Sequence, residues 1–353
     1  MIVPEKKIKG LCLAFVGLGW IGRHRMEALV REGMVRRAVF VDRSRECLEE
    51  ACRIIPDAQV APAMEDVDLK EVDGVVIATP SALHSGQSIH ALESGCAVFC
   101  QKPLARNYSE CREVVEAARR NDRLLGVDFS YRFLEGTRML KEFLDRGDIG
   151  RVYAVNAVFH NAYGPDKPWF YDPVLSGGGC VIDLGVHLID LAFWLLGFPS
   201  VENVRSRLYS RGRPFSGEGV EDFGSVQMDF GTGAAMNMAC SWNLSAGKDA
   251  QIEFTLYGTE GALSLRNVNG SFYDFCLERY RGTQREVLCT PPDAWGGRAA
   301  VDWASRLAGG SGAFDEEAEK FCAVSELLDR VYDFCFSSST SQIERSGLYA
   351  RPA

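Results

Sequence analysis

Gly17-Leu18-Gly19-Trp20-Ile21-Gly22 is the feature that most narrows the folds open to this chain. It follows directly on the apolar run 11–16 and opens a helix-like stretch at 21–32. The first glycine permits a tight turn. The second lets the backbone approach a pyrophosphate, and the third lets helix and strand pack closely. The helix start then offers free N–H groups and a positive dipole end to phosphates. Asp42 ends the next apolar run, 20 residues after Gly22. A carboxylate there accepts hydrogen bonds from adenosine ribose hydroxyls. Gly17, Gly19, Trp20, Ile21, Gly22 and Asp42 are therefore candidate dinucleotide contacts. Asp42 favours NAD over NADP, because a 2′-phosphate would meet its charge. Arg43 follows at once and offers a stack for adenine or a cation for a 2′-phosphate, so NADP stays open.

The first 128 residues alternate between short β-rich apolar runs (11–16, 35–41, 74–78, 96–100, 124–128) and helix-like stretches (21–32, 45–54, 84–94, 109–121). Continuous apolar strands separated by helices predict a parallel sheet with crossover helices. Residues 129–353 read differently. Helical patterns at 134–146 and 182–196 flank one strand at 151–159, and several extended segments follow between 201 and 279. Glycines at 231–233 and 258–261 mark turns. The expectation is an α/β chain. Residues 1–128 form a doubly wound Rossmann domain, and 129–353 form an α+β domain with a large, mostly antiparallel open sheet. No Pro/Gly linker marks the boundary, which predicts a ligand cleft there. A last amphipathic helix is predicted at 315–336, with the serine cluster 337–341 and the chain end loose.

Lys plus Arg is 39 and Asp plus Glu is 48, a net charge of −9. That balance argues against a protein held by nucleic-acid phosphates, which needs a basic face. Twelve cysteines sit mostly in apolar runs with no Cys-x-x-Cys. They read as unpaired thiols in a reducing cytoplasm. No apolar run is long enough for a bilayer. Lys6, Lys7 and Lys9 before an apolar stretch resemble a short signal peptide, but the patterned glycines fit a strand and turn better.

Thr79-Pro80 and Gln101-Lys102-Pro103 end two of the strands. In an open parallel sheet ligands bind beyond the strands' carboxyl ends, which directs Lys102 toward the expected nicotinamide region. In the second part Gly177-Gly178-Gly179 precedes Asp183 and His187, four residues apart and so on one helical face. The triplet allows close ligand approach, and a carboxylate one turn away can orient and tune an imidazole. The plain alternative is a core histidine. Asp190, three residues on, is another candidate to fix the ring. His160 and Asn161 at a strand end, with Tyr163 and Trp169, are candidate contacts to a polyol. Asp183, His187 and Asp190 lack a further His or Cys cluster of fitting spacing, so no metal is expected.

Taken together, these motifs resemble the glucose–fructose oxidoreductase, inositol dehydrogenase and rhizopine-catabolism (Gfo/Idh/MocA) family over nearly the whole chain. The likeness rests on the glycine loop, Ala78-Thr79-Pro80 with His84, Gln101-Lys102-Pro103-Leu104-Ala105 and Tyr131-Arg132-Phe133. It continues through Ser176-Gly177-Gly178-Gly179 with Asp183 and His187, and Tyr257-Gly258-Thr259-Glu260-Gly261. The resemblance implies a dinucleotide at the glycine loop, a sugar or cyclitol as substrate, and a homodimer or homotetramer. It implies that Lys102 contacts the substrate hydroxyl and nicotinamide ribose, that His187 exchanges the hydroxyl proton, and that Asp183 holds substrate and tunes His187. It places His84 near the cofactor and Tyr131 where the domains join. The family usually has Glu-Lys-Pro. Gln101 departs from it and removes a negative charge beside Lys102.

The function so implied is an NAD(P)-dependent oxidoreductase acting on a secondary alcohol or ketone of a sugar, nucleotide sugar or cyclitol. Two alternatives stand beside it. One is a glycosidase that retains its NAD and so accumulates no NADH. The other is a non-catalytic dinucleotide-binding sensor, which would bind cofactor without turning over any polyol.

Overall fold

The computed structural model describes residues 10–347, with side chains through residue 335. The chain divides into two compact units: Met1–Phe133 with Trp295–Cys322, and Leu134–Ala294 with Ala323–Ala353. The sequence reading places the division at 128/129. The structure carries the first unit five residues further and returns a late segment to it.

The first unit alternates β1 (Leu11–Val16), α1 (Trp20–Arg31), β2 (Val35–Val41), α2 (Arg45–Ile54), β3 (Gln59–Ala61), β4 (Gly74–Ile77), α3 (Ser81–Glu93), β5 (Ala97–Cys100), α4 (Tyr108–Arg120) and β6 (Leu125–Val127). Every pairing is parallel, in the order β3-β2-β1-β4-β5-β6. The order reverses between β1 and β4, which is where such sheets bind ligands. Strand β3 lies outside the sequence expectation because two of its three residues are exposed and it has no apolar run. Phe15, Phe40, Phe99, Met26 and Leu29 form the core. Trp303, on a helix at Arg298–Ala308, completes it. A Cβ on Gly74 would lie 2.6 Å from the Trp303 ring, and one on Gly126 2.9 Å. Two strand glycines thus leave room for one indole. The sequence reading has no helix at 298–308, because its buried face is largely alanine and gives a faint apolar signal.

The second unit holds α5 (Glu135–Asp145), β7 (Val152–Asn161), α6 (Pro173–Ser176), a π-helical turn at Val181–Gly185 and α7 (Val186–Leu196). Strands β8 (Val201–Ser210), β9 (Arg213–Pro214), β10 (Phe223–Phe230), β11 (Ala235–Ser241), β12 (Ala250–Gly258), β13 (Gly261–Asn267), β14 (Phe275–Arg281) and β15 (Gln284–Cys289) follow. They form one nine-stranded sheet, β15-β14-β13-β12-β7-β11-β10-β8-β9. Only β7–β11 pair in parallel. Burial alternates along β8 and β10, so one sheet face is covered and the other open. Helix α7 is apolar apart from His187 and Asp190, and all but Trp194 and Leu196 are fully buried. The stretch Pro173–Leu196 does reach 24 residues and is apolar enough by length and composition to cross a membrane, contrary to the sequence expectation. Its most apolar window is 83% buried in the protein, as in a core helix.

The last helix runs Glu319–Gly347, straight through the serine cluster expected to be loose. No proline or glycine interrupts the helix before Gly347, and serine costs a helix only a few tenths of a kcal/mol. The chain end beyond 347 and Lys6, Lys7 and Lys9 lie outside the described residues. All twelve cysteines are free thiols, most of them buried.

Candidate active site

The glycine loop divides its labour as its spacing predicts. Gly17 takes φ +87°, and a Cβ there would lie 2.6 Å from the Ala78 carbonyl. A Cβ on Gly22 would lie 2.0 Å from the Gly17 carbonyl oxygen. Gly19 has nothing within 4 Å of its Cβ position, so its face is open to an approaching ligand. Asp42 accepts from the Leu18 N–H at 2.6 Å and the Ser44 N–H at 2.7 Å. The Leu18 carbonyl accepts from Arg23, which also pairs with Glu50 at 2.6 Å. The loop is therefore held from both sides before any ligand arrives. Trp20 begins α1 and is 59% exposed, stacked on His24 at 5.7 Å. Ile21 follows it on the same first turn. Arg43 is exposed and makes no hydrogen bond or ion pair among the described residues.

Thr79, Pro80, Gln101 and Lys102 lie at the carboxyl ends of β4 and β5, with Lys102 half-buried. His84 is buried behind them. Its Nδ1 lies 2.7 Å from the Pro103 carbonyl and its Nε2 2.8 Å from that of Thr79. Burial lowers its pKa from the ordinary histidine value, outweighing the opposite pull of both carbonyls. The sequence reading makes His84 a cofactor contact. With both ring nitrogens occupied, the structure makes it a tie between the two strand-end loops.

Gln101 donates from its amide to Asp128 Oδ2, which also takes the Arg25 Nε hydrogen bond at 2.5 Å. Asp128 is 1% exposed, and its other oxygen has no hydrogen-bond partner among the described residues. A glutamate at 101 would press a second carboxylate onto Asp128, and like charges raise a carboxyl pKa. Gln101→Glu should therefore fold with a stability deficit that depends on pH. A carboxyl whose folded pKa is raised binds its proton more tightly in the native state, so stability falls as pH rises above about 4. Melting temperatures at pH 5 and pH 8 check this. An equal deficit at both would remove the Gln101–Asp128 argument.

In the second unit two of the three glycines lie hard against the protein itself. A Cβ on Gly179 would lie 1.9 Å from the Glu221 carbonyl oxygen, and one on Gly178 2.2 Å from the Tyr332 hydroxyl. Gly178 and Gly179 serve packing and Gly177 ends α6 at φ +87°, so the protein itself accounts for glycines that the sequence expectation gives to ligand approach. Glu221 is 0% exposed and accepts from the N–H groups of Gly179 and Val181 (2.9–3.1 Å) and from Tyr332 Oη at 2.9 Å. Burial pushes its carboxyl up, against those hydrogen bonds. It satisfies N–H groups that a helix start leaves bare, and so sets the run that carries Asp183 and His187. Asp183 lies within the π turn and His187 is the second residue of α7. Such single π turns recur at functional sites. Trp242 Nε1 donates to Asp183 Oδ2 at 3.2 Å. His187 is buried, its ring 6.2 Å from that of Phe159. Asp190 is also buried.

His160 ends β7 beside Asn161. Its Nδ1 lies 2.8 Å from Ser241 Oγ and its ring stacks on Phe223 at 6.0 Å. Burial lowers its pKa. Trp169 stacks on Phe170, which meets the edge of Trp242. Tyr163 instead leans on Phe272 with half its surface exposed. Tyr131 belongs to the first unit and packs against Trp295 at 5.1 Å. Among the described residues no three His, Cys, Asp or Glu side chains are grouped to hold a metal. Sequence reasoning missed Arg25, Asp128, Glu221 and Trp242. Only the buried charges carried a signal: an acid or arginine inside an apolar stretch needs a partner.

Two family models match the chain. The model described as "Oxidoreductase family, NAD-binding Rossmann fold" matches residues 11–129, and the GFO/IDH/MocA C-terminal domain matches 137–264. D-glucoside 3-dehydrogenase of Escherichia coli (strain K12) is 35% identical over 140 residues, covering 39% of this chain and 40% of the relative. Inositol 2-dehydrogenase 3 of Saccharopolyspora erythraea is 29% identical over 87% of this chain and 82% of its own length. The chain spans about half the length of several curated relatives it matches, from 40% to 58%. Among solved structures, GenD2 from gentamicin A biosynthesis, in complex with NAD, superposes with a TM-score of 0.78. It is 25% identical and covers 93% of this chain and 94% of its own.

Proposed function

This chain belongs to the Gfo/Idh/MocA family of oxidoreductases, and we propose that it is an NAD-dependent dehydrogenase or reductase acting on a secondary alcohol or ketone of a sugar or cyclitol. The observation that carries the reading is the glycine cradle: closed at Gly17 and Gly22, open at Gly19, and flanked by a fixed Asp42. Those residues suit a dinucleotide, with the pyrophosphate over Gly19 and a ribose on Asp42. When bound, the nicotinamide supplies the hydride acceptor or donor. In oxidation His187 takes the hydroxyl proton and Lys102 stabilises the developing alkoxide. Asp183, steadied by Trp242, orients substrate and the imidazole. Glu221 and Asp128 position these groups without touching substrate.

A homo-oligomer is part of this reading. On the open face of the sheet Gln227, Asn237 and Asn156 share one row and Ser225, Ala239 and Val158 the next. Neither row carries a charge on these three central strands, and Arg205, Arg207 and Glu253 stand on the flanking strands; depletion of charge at the centre with a polar rim marks interface cores.

The test is a panel of sugars, polyols and cyclitols with NAD and NADP, followed at the nicotinamide absorbance. NAD should be preferred, and Asp42→Asn should narrow the gap between the two cofactors. Asparagine is chosen because alanine would also release the Leu18 and Ser44 N–H groups. A clear NADP preference in the wild type would transfer the cofactor-selecting role from Asp42 to Arg43. NADH formation from no member of the panel would overturn the dehydrogenase reading.

A further inference from the structure

Beside Asp183 the second unit holds a cavity of about 960 Å³, at the upper end of the range for small-molecule sites. Its walls include Tyr171, Tyr209, Phe223 and Trp242. Trp242 is the residue that donates to Asp183, and Phe223 backs His160. Trp242 is thus shared between the cavity wall and the bond to Asp183, and Tyr171, on the same wall, is near enough to feel the Asp183 charge, so cavity and candidate catalytic residues are neighbours within one unit. The cavity's charged lining residues are Arg211, Glu218 and Asp222, and Ser210 and Asn243 are polar. Both Asp222 oxygens accept from the Arg211 backbone N–H, at 3.1 and 2.9 Å.

Arg211 is oddly placed for an arginine. It occupies the two-residue turn between β8 and β9 with φ +52°, and Gly212 follows at +75°. Glycine, asparagine or aspartate is the unstrained choice at such a turn position. Strained residues cluster where function over-determines them. Here the strained arginine is one of the residues that line the cavity.

From these observations we propose that the cavity is a subsite for a second, uncharged sugar ring, so that the substrate is a disaccharide or other glycoside and the oxidised ring sits beside Asp183 and His187. This rests on the dehydrogenase reading above. Aromatic faces stack on the C–H face of a pyranose, a carboxylate accepts from its hydroxyls, and a guanidinium donates to them. One cation against two carboxylates leaves the wall net negative, which opposes a nucleoside diphosphate.

The experiment compares glucose, maltose, cellobiose, lactose and UDP-glucose on the whole protein, by kcat/KM with NAD and by titration calorimetry. The wild type should prefer at least one disaccharide over glucose and over UDP-glucose. Arg211→Gly suits the positive φ, so the fold is retained while the guanidinium is lost. It should cut the preference for that disaccharide over glucose at least ten-fold. An unchanged preference, or UDP-glucose as the best ligand, overturns the subsite. If no sugar yields NADH, the dehydrogenase reading has failed, and calorimetry judges the cavity alone. Disaccharide binding weakened by Arg211→Gly then supports it, and no binding or undiminished binding overturns it.

Discussion

Replacing His187 by alanine should lower turnover by about 10²- to 10⁴-fold, the usual contribution of one acid–base group, while cofactor affinity stays near that of the wild type. Affinity should hold because the glycine cradle and Asp42 belong to the first unit. The ring is buried beside Phe159 on a helix whose other residues, Asp190 apart, are apolar, so a purely structural histidine is the competing account. That account predicts a different result: a cavity and lost packing would lower the melting temperature and leave turnover per folded molecule unchanged. Melting temperature, NAD affinity and turnover on one preparation separate the two. Normal turnover would remove His187 from the reaction. His187→Gln, closer in size, retains the fold if alanine does not, and should still lose turnover. Asp183→Asn keeps an acceptor for Trp242 but loses the charge, and should shift the pH–rate profile.

Arg25→Met should cost about 3–5 kcal/mol, the typical price of stranding one partner of a buried ion pair. Arg25 is 5% exposed and its guanidinium meets Asp128, the Gly296 carbonyl and His24. Methionine fills much of the same volume, so the loss comes chiefly from Asp128, left buried with Gln101 as its remaining donor. Because α1 follows the glycine loop, NAD affinity should weaken as well. Urea unfolding of the wild type, Arg25→Met and the double variant Arg25→Met with Asp128→Leu tests this. The double variant should recover part of the loss, since removing both charges leaves none stranded. A single variant within about 1 kcal/mol of wild type would sink the argument.

Much of the first unit was legible from residues near one another in the chain. A strand, three spaced glycines, a helix and an acid at the next strand end all act within the 32 residues from Leu11 to Asp42. Their periodicity shows whatever the rest of the chain does. The expected strands and helices of the first unit reappear within a few residues of their bounds, and β3 and the helix at 298–308 escape because neither has a strong apolar pattern. Asp183 and His187 were legible as a pair, but their setting was not. The glycine triplet looked like room for a ligand until Glu221 and Tyr332 were found filling it.

The sequence alone determined the layered α/β first unit, the dinucleotide cradle, the open sheet of the second unit and the identity of Lys102, Asp183 and His187 as candidates. These follow from steric and hydrogen-bonding demands that neighbouring residues impose on their own backbone. Tertiary structure decided which buried groups answer one another: Arg25 with Asp128 across 103 positions, Glu221 with Gly179 across 42, Trp242 with Asp183 across 59. It also decided that His84 ties loops, that Tyr131 packs on Trp295, and that Arg211 faces a cavity. A buried charge announces in the sequence that it needs a partner. Which of many distant residues supplies it depends on how the strands are ordered in the sheet, and no local pattern encodes that order.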